Sequence, residues 1–260
     1  MLIAERRRRI LEQVRLRGYA SFRDLAEVVG ISESTVRRDL RVMVDEGLLG
    51  ATRGGATQVD HAVPDHPREI PAADPMAAER AAIATRAAEL VEPASAILLG
   101  PGRTTTQLAS CLPNAGPLTV ITNSVPVTNA LLDAEHIDLV MVGGTLGRSI
   151  AAFVGPMTEQ SLKGLRGAQV FISGEGVTVD RGLTTPNVFA AATDMALVAA
   201  ARQVIVLADH TKLGRDTMCQ TVPTQRIDVL ITDSGADPAV VQALADTGVD
   251  VLVAGPAAGS

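Results

Sequence analysis

The sequence is poor in cysteine, with only Cys111 and Cys219 among its 260 residues. Two distant cysteines without a C-x-x-C pair exclude a disulfide-stapled scaffold and a cysteine zinc site, and they fit a reducing compartment. Long hydrophobic runs are also missing, because no stretch reaches the ~18 apolar residues of a membrane-spanning helix. The charged N-terminal segment is not followed by an apolar stretch. We therefore expect no signal peptide, no membrane partner and a cytoplasmic location.

Sequence motifs of common catalytic and cofactor sites are missing as well. The segment GPGRTTTQ that begins at Gly100 lacks the lysine of a nucleotide P-loop and the third glycine of a dinucleotide-binding turn. No G-x-S-x-G elbow occurs, and the four histidines show no H-E-x-x-H spacing. The sequence therefore predicts no cofactor, no metal and no catalytic residues.

The net charge of -6 looks unsuited to nucleic-acid binding, but it is unevenly distributed. Residues 1–57 hold 11 Arg against 8 acidic residues, a net of +3. Residues 58–260 hold 12 Lys and Arg against 21 acidic residues, a net of -9. A basic head on an acidic body predicts that only the head contacts a polyanion.

A proline-rich stretch separates the head from the body. Residues 58–75 (QVDHAVPDHPREIPAADP) hold four prolines and show neither helical nor strand periodicity. We expect a head domain over residues 1–57, a linker over 58–75 and a second domain over 76–260.

The head has the pattern of three short helices followed by a wing. Ser21 caps the second helix with Asp24 as its capping partner, and Gly30 makes a tight turn. Ser32 then caps a third helix that runs to about Glu46, and residues 48–57 predict a short β-wing with glycines at its tip. Helices joined in this way form a winged helix-turn-helix.

The third helix begins with hydroxyl groups and two arginines, which suit contacts to double-stranded DNA. Its hydroxyls reach base edges or phosphates, and its N-terminal dipole favours a phosphate. Arg37 and Arg38 point about 100° apart. Either one reaches a base and the other the backbone, or one pairs with Asp39 or Asp45. The expected DNA-binding residues are Ser32, Ser34, Thr35, Arg37, Arg38 and Arg53. A winged helix used for protein contacts is the alternative, and residues 6–9 form either a solvated charged face or a further phosphate contact.

The run ISESTVRRDL, followed by GLLGATRGGA, resembles the DNA-binding signature of DeoR-type bacterial transcriptional regulators. In that family the recognition helix ends in Arg-Arg-Asp-Leu, matched here by residues 37–40, and a Gly-Gly-Ala wing tip is matched by residues 54–56. The family usually has a His before the two glycines, where this chain has Arg53. It also has an Arg nearer the start of the wing, where this chain has Gly50 and Ala51. The positive charge of the wing therefore stands at Arg53 rather than near the start of the wing, and this difference implies a different operator preference.

The body alternates apolar strand patterns with helical patterns. Strands are predicted at Ala96–Leu99, Leu118–Thr122, Ile137–Val142, Gln169–Ser173, Gln203–Ala208, Ile227–Thr232 and Val249–Val253. Helices are predicted at Met76–Val91, Val188–Arg202 and Pro238–Thr247. This alternation predicts an α/β fold with a mainly parallel sheet covered on both faces, and ligands bound beyond the carboxyl ends of its strands.

Five strand-end loops carry glycines, hydroxyls or cations that suit an anion: residues 100–106, 122–124, 143–145, 174–176 and 209–212. Each has a structural alternative, in which a glycine serves only the turn or Asn123 caps a helix. In a doubly wound sheet we expect the loops to converge in one crevice. The expected effector-binding residues are Gly102, Arg103, Thr104, Thr105, Asn123, Gly143, Gly144, Asp209 and Lys212.

The resemblance extends to the body, which in DeoR-type regulators is similar to the ribose-phosphate isomerase and CoA-transferase superfamily and senses a phosphorylated sugar. The matching residues are Gly102, Thr104, Thr122, Asn123, Gly143, Gly144, Gly155, Gly182, Asp209 and Lys212. Gly100 replaces the usual Asp of the first loop, and Ala190 and Asp194 stand near the family's usual Glu and Lys. Three interpretations stay open: Arg103 replaces the missing cation, the effector differs, or the pocket binds none.

Two functions follow as hypotheses. The resemblance implies a regulator, leaning towards a repressor of a carbohydrate catabolic operon, that binds DNA as a homodimer or homotetramer and responds to a phosphorylated sugar or related metabolite. The alternative is an isomerase-like enzyme with a DNA-binding head, in which Glu175, Asp209 and Lys212 are the candidate acid–base groups. In a third reading, the body only oligomerises.

Overall fold

The computed structural model describes residues 6–7, 9–10, 13–14, 19–45, 49–52, 55–58, 74–114 and 116–255. The chain divides into two compact units, Met1–Glu69 and Ile70–Ser260. The first is a winged helix-turn-helix and the second a mainly parallel α/β domain, as the sequence predicts.

The N-terminal unit combines helices with a small antiparallel sheet. The first helix, α1, is described at residues 6–7, 9–10 and 13–14, and α2 (Phe22–Val29) and α3 (Glu33–Asp45) follow. The sheet contains β1 (Tyr19–Ser21), β2 (Leu49–Thr52) and β3 (Gly55–Gln58) in the order β1-β3-β2. The wing extends one residue into the expected linker, because Gln58 pairs with Leu49. Residues 59–73 of that linker lie outside the described residues.

Local signals in the head produce the predicted caps. The Ser21 side chain accepts a hydrogen bond from the backbone of Asp24, whose carboxylate accepts one in return, so the capping box is complete. Gly30 ends α2 with a φ of 72°, a left-handed conformation that favours glycine. The strand β1 has no counterpart in the sequence prediction, since three residues are too few to show periodicity. The head core contains Ile10, Val14, Ala20, Leu25, Val29, Val36, Leu40, Met43 and Ala56.

The body holds six α-helices among its described residues. They are α4 (Ala77–Ala88), α5 (Arg103–Cys111), α6 (Val125–Leu131), α7 (Pro156–Leu162), α8 (Val188–Ala199) and α9 (Pro238–Ala245). The strands of its main sheet are β4 (Ala96–Leu99), β5 (Leu118–Thr122), β6 (Ile137–Met141), β9 (Gly167–Ile172), β12 (Ala201–Leu207), β14 (Val229–Asp233) and β15 (Asp250–Ala254). The hairpin β7 (Thr145–Gly147) and β8 (Ala152–Val154) and the small sheet β10 (Gly176–Thr178), β11 (Gly182–Thr185) and β13 (Cys219–Val222) complete it.

Seven strands form one parallel sheet in the order β15-β14-β12-β9-β4-β5-β6. From β4 the chain moves outward through β5 and β6, and it then returns to add β9, β12, β14 and β15 on the other side. The direction therefore reverses between β4 and β9, where Leu98 of β4 pairs with Val170 of β9. In open α/β sheets, the crevice beyond such a switch point is where ligands bind.

Helices cover both faces of this sheet, because successive strand residues point to opposite sides. Ile97 and Leu99 pack in a cluster with residues of α4, α5 and α6. Leu98 between them packs in the second cluster, with residues of α7, α8 and α9. The predicted helix Val188–Arg202 is too long, because Ala201 already begins strand β12. Across the described residues, no helix combines the length and apolarity needed to cross a bilayer.

Candidate functional site

The N-terminus of α3 presents a cluster of exposed hydroxyl groups. The Ser32 hydroxyl lies 2.9 Å from those of both Ser34 and Thr35. The backbone N–H of Thr35 donates to the Ser32 hydroxyl oxygen at 3.4 Å. Three donors and acceptors therefore stand together at the positive end of the helix dipole, where a phosphate is favoured.

The two faces of α3 have different roles. Val36, Leu40 and Met43 are buried in the head core. Ser34 and Arg38 lie on the opposite face and are exposed, as is Arg41 one turn later. Arg41 is not among the expected DNA-binding residues, although its spacing of three residues from Arg38 places both on one exposed helix face.

Arg37 is held at the side of this face. Its guanidinium lies 3.7 Å from Glu33 and 4.2 Å from the centre of the Phe22 ring. The side chain remains more than half exposed, so these contacts orient it without removing it from water. Arg53, the sixth expected DNA-binding residue, lies outside the described residues.

Asp39 pairs with α1, which decides against the alternative in which it pairs with Arg37 or Arg38. Its carboxylate accepts hydrogen bonds from Arg6 at 2.5 and 3.1 Å and lies 3.6 Å from Arg7. Asp39 is buried and Arg6 mostly so. At least these two members of the arginine run at residues 6–9 therefore join α1 to the recognition helix rather than forming a purely solvated face.

A cavity of about 790 Å³ opens at the carboxyl ends of β4 and β9, at the switch point of the sheet. It is lined by Asp74, Ala77, Arg80, Pro101, Gly102, Arg103, Thr106, Gln107, Pro126, Ser149, Ile150, Ala151, Ser173, Gly174, Glu175, Thr185, Ala190, Asp194, Thr211, Lys212 and Arg215. Three of the five expected loops meet here: those that follow β4, β9 and β12. The β7–β8 connection supplies the wall on the β5 side, because β8 forms a bridge with the end of β5.

The loop after β4 turns its helix N-terminus towards the cavity. Gly102 precedes α5 with a φ of 148°, in the region that favours glycine, and no side chain caps the helix. The first backbone N–H groups of α5 therefore lack an intrahelical or capping partner. Arg103 stands at the same end, largely exposed and 3.5 Å from Asp74. Amide donors and a guanidinium are thus available to an anion.

Lys212 forms the other cationic wall. Its ammonium donates to the Gly174 carbonyl at 2.6 Å and to the Ser173 hydroxyl at 3.3 Å, so the loops after β9 and β12 are tied together. Burial lowers the pKa of Lys212, and the nearby carboxylates of Glu175 and Asp209 oppose that shift. The side chain is held in place but keeps donor capacity for a ligand.

A buried ion cluster that the sequence analysis missed supports this wall. Arg80 on α4 lies 3.1 Å from the buried Asp209 carboxylate and also donates to Asp74. The hydrogen bond from Arg80 lowers the pKa of Asp74. Asp74 falls within the expected linker, yet it contacts the body. Asp209 lies under the cavity rather than on its surface, since Arg80 covers it.

Three further expected effector-binding residues are buried beneath the surface. The Thr105 hydroxyl donates to the Gly102 carbonyl at 3.0 Å, and Thr104 is buried beside it. Asn123 donates to the Phe153 carbonyl at 2.7 Å and so joins β8 to the end of β5. It does not cap α6, because Ser124 takes that position.

Gly143 and Gly144 lie away from the cavity, since β6 is the edge strand furthest from the switch point on that side. The Gly143 carbonyl accepts a hydrogen bond from Thr158 at 3.0 Å. A Cβ at Gly144 would lie 2.0 Å from the Thr158 hydroxyl, so glycine is required there for packing against α7. The contacts of Gly143 and Gly144 therefore hold α7 against the loop after β6, and neither glycine lines the cavity.

Two residues of α8, Ala190 and Asp194, face the cavity one turn apart. Asp194 is only 4% exposed, and its Oδ1 atom has no hydrogen-bond partner among the described residues. Burial raises the pKa of Asp194 to about 8. No group of three or more His, Cys, Asp or Glu side chains suited to a metal occurs within the described parts of the chain.

Family models match both units. The DeoR-like helix-turn-helix domain matches residues 6–62, and the DeoR C-terminal sensor domain matches residues 76–234. The chain belongs to the DeoR family of transcriptional regulators. This membership confirms the resemblance carried by ISESTVRRDL and places the chain among regulators rather than among isomerases.

Similar proteins are aligned over nearly their whole length with this DeoR-family chain. The HTH-type transcriptional regulator GlpR of Haloferax volcanii is 33% identical over 252 residues, covering 97% of this chain and 98% of that protein. The HTH-type transcriptional regulator UlaR of Escherichia coli is 30% identical over 256 residues, covering 97% and 99%. The transcriptional repressor AccR of Agrobacterium fabrum is 31% identical over 232 residues, covering 89% and 90%.

Among solved structures, ribose 5-phosphate isomerase A from Methanocaldococcus jannaschii is similar to part of this chain. The match has a TM-score of 0.39 and 19% identity, and it covers 52% of this chain and 53% of that one. A likeness of this degree does not bear on activity.

Proposed function

We propose that this DeoR-family regulator represses a carbohydrate catabolic operon and releases its DNA when a phosphorylated sugar binds the body. The observation that carries the effector half is the cavity at the β4–β9 switch point, where the uncapped N-terminus of α5, Arg103 and Lys212 converge. The relative AccR is named a repressor, which favours repression over activation.

The phosphate of the effector occupies the end of the cavity near Gly102. Backbone N–H groups at a helix N-terminus bind anions through both hydrogen bonds and the helix dipole. Arg103 adds a forked donor and Lys212 a point charge, which together suit phosphate oxygens. The volume of about 790 Å³ lies within the range of small-molecule sites and leaves room for a sugar beyond the phosphate.

An isomerase is the weaker candidate. Proton abstraction requires a base that is free to approach a substrate carbon. The candidate Asp209 is covered by Arg80, and the candidate Lys212 donates to a carbonyl. Glu175 lines the cavity and is exposed, but it then stands without a second free group to complete the acid–base pair. A body that only oligomerises is also weaker, since it would not need a cavity with converging cations.

The operator is double-stranded DNA, contacted by Ser32, Ser34, Thr35, Arg37, Arg38 and Arg53 of the head. A homodimer or homotetramer would present two heads to half-sites about one helical turn apart or a multiple of that spacing. Effector binding in the body then changes DNA affinity, and a coupling of ~1–3 kcal/mol changes operator occupancy 5–150-fold. We place this regulator in the cytoplasm, where its DNA lies.

Titration of the preformed protein–operator complex with sugar phosphates tests this proposal. Fluorescence anisotropy at one stated salt concentration follows release, because DNA affinity depends steeply on salt. We expect at least one sugar phosphate to lower DNA affinity, and inorganic phosphate alone to have a smaller effect. If none of a panel of pentose and hexose phosphates changes the affinity, the effector half of the proposal is wrong.

A further inference from the structure

Asp194 is a buried acid that nothing in the described part of the chain neutralises. It sits in the middle of α8, is 4% exposed and lines the cavity. Its Oδ1 atom is shielded from water, and none of the described residues donates a hydrogen bond to it. A buried carboxylate normally has a paired cation or several donors, since burial without them is costly. Because Asp194 also lines the cavity, a ligand bound there is placed to supply the partner that the described residues do not.

The charged groups nearby are positioned elsewhere. The elements that pack against α8 carry four titratable side chains: Glu159 and Lys163 on or next to α7, Cys219 on β13 and Arg202 on β12. The cavity adds six charged side chains: Asp74, Arg80, Arg103, Glu175, Lys212 and Arg215. None of these contributes to the raised pKa of Asp194, for which burial alone is responsible. By contrast, Arg80, Arg103, Glu175 and Asp209 all act on Lys212. Lys212 contacts the loop after β9 and Arg103 stands at the start of α5, whereas Asp194 lies on α8, so the cations and the buried acid are carried by different walls of the cavity.

We propose that the effector is a phosphorylated amino sugar, whose phosphate binds at Gly102, Arg103 and Lys212 and whose ammonium group pairs with the Asp194 carboxylate. This assignment rests on the function proposed above and specifies the ligand class of the same cavity. A ligand with an anion at one end and a cation at the other matches the separation of charges in the site.

An ammonium group fits Asp194 better than a sugar hydroxyl does. It supplies both the positive charge and the N–H donors that a buried carboxylate lacks, and hydrogen bonds between charged partners are the stronger ones. A hydroxyl supplies one donor and leaves the negative charge uncompensated, so the acid would have to stay protonated. An asparagine would serve a neutral sugar without that cost.

Calorimetric titration of the full-length protein distinguishes the two ligands. The probes are glucosamine 6-phosphate and galactosamine 6-phosphate, each compared with its 2-hydroxyl counterpart, glucose 6-phosphate or galactose 6-phosphate. We expect at least one amino sugar phosphate to bind about tenfold or more tightly than its counterpart, which corresponds to about 1.4 kcal/mol. Asp194→Asn should remove this preference by weakening the amino sugar, whereas Asp180→Asn, an exposed acid in the β10–β11 turn, should preserve it.

Proton exchange gives a second readout that a structural role of Asp194 would not produce. Pairing with an ammonium ionises the acid, so the wild-type protein should release more protons than Asp194→Asn on binding the same ligand near pH 7. Comparison with the variant cancels the protons that the ligand's phosphate exchanges, since the phosphate site is the same in both proteins. Titration in buffers of different ionisation enthalpy measures the difference.

The outcomes separate the inference from the proposed function. If the 2-hydroxyl sugars bind as tightly as the amino sugars in a Lys212-dependent manner, the amino-sugar assignment is wrong and the phosphate site stands. If the preference exists but survives Asp194→Asn, Asp194 is not its cause and the inference is equally wrong. If none of the four phosphates binds, the proposed function fails for hexose phosphates and the inference fails with it.

Discussion

The guanidinium of Arg80, which lines the cavity, lies 3.1 Å from the carboxylate of Asp209, which is buried beneath it. Arg80 also donates to Asp74 at the beginning of the body. One arginine of α4 thereby joins the segment that enters the domain to the loop that carries Lys212. The cavity wall depends on an ion pair between residues 129 positions apart, and local sequence patterns do not predict such a contact.

Arg80→Met should destabilise the body by roughly 3–5 kcal/mol, because it leaves the Asp209 carboxylate buried without its partner. Urea unfolding of the full-length protein measures the loss. Arg86→Met on the same helix is the matched control, since Arg86 pairs with Glu89 near the surface and its loss should cost under ~1 kcal/mol. Equal effects of the two substitutions would show that the Arg80 pair is not structural.

Asp39→Asn should loosen the head. The substitution removes the negative charge that holds the hydrogen bonds from Arg6, and these bonds join α1 to α3. Hydrogen exchange at the backbone amides of α3 should therefore become faster, with weaker DNA binding. Glu27→Gln on the exposed side of α2 is the control. Unchanged exchange in Asp39→Asn would contradict this role.

Thr35→Ala, Arg37→Ala and Arg38→Ala should each weaken specific DNA binding. Loss of a base contact costs ~1–3 kcal/mol of specific binding. Loss of a phosphate contact weakens binding to all sequences alike and reduces the slope of log affinity against log salt concentration by about one. Anisotropy at several salt concentrations separates these cases residue by residue. Arg226→Ala, an exposed arginine of the body, should bind DNA normally. Normal affinity in all three head variants would mean that α3 is not the reading helix.

Arg103→Ala and Lys212→Ala should blunt the effector response and spare DNA binding. Each removes a cation at the phosphate end of the cavity, so the effector concentration for half-release should rise about tenfold or more, in line with the strength of hydrogen bonds between charged groups. Lys163 is the other lysine in the sequence and lies on the exposed end of α7, which makes Lys163→Ala the matched control. Unchanged effector titrations in Arg103→Ala and Lys212→Ala would place the pocket elsewhere.

Asp194→Asn should change how stability depends on pH. The pKa of Asp194 is about 8 in the folded protein and near 4 when unfolded, so the folded state holds one more proton between these values. The contribution of this proton to the free energy of unfolding is fully present below about pH 4. It falls by about 1.4 kcal/mol per pH unit between about pH 4 and pH 8, and it is constant above about pH 8. Relative to Asp194→Asn, wild type should therefore lose melting temperature steadily from pH 5 to pH 8. Parallel profiles for the two proteins would contradict the burial of an uncompensated acid.

Local signals in the sequence predict much of the fold. Ser21 and Asp24 specify the start of α2, Gly30 specifies its end, and the apolar runs locate all seven strands of the main sheet to within two residues. These features depend on neighbours along the chain. The switch point between β4 and β9 follows from strand order, which the periodicity of single strands does not contain.

The candidate site was harder to predict, because its chemistry depends on tertiary contacts. Gly144 lies in a loop whose glycines and threonine suggest anion binding, but a side chain at this position would collide with Thr158. Arg80 carries no motif, yet it supports the cavity floor. Asp194 stands out in the sequence only as a departure from the family pattern, and its burial in the cavity wall gives that departure a physical meaning.

The most direct test of the account is fluorescence anisotropy of the full-length protein on the DNA upstream of its own gene, with scrambled competitor at one salt concentration. The account predicts a preference of ~10³-fold or more for the native DNA, and loss of that preference when a sugar phosphate is added. Binding that shows no preference, or a preference that no sugar phosphate changes, would contradict it.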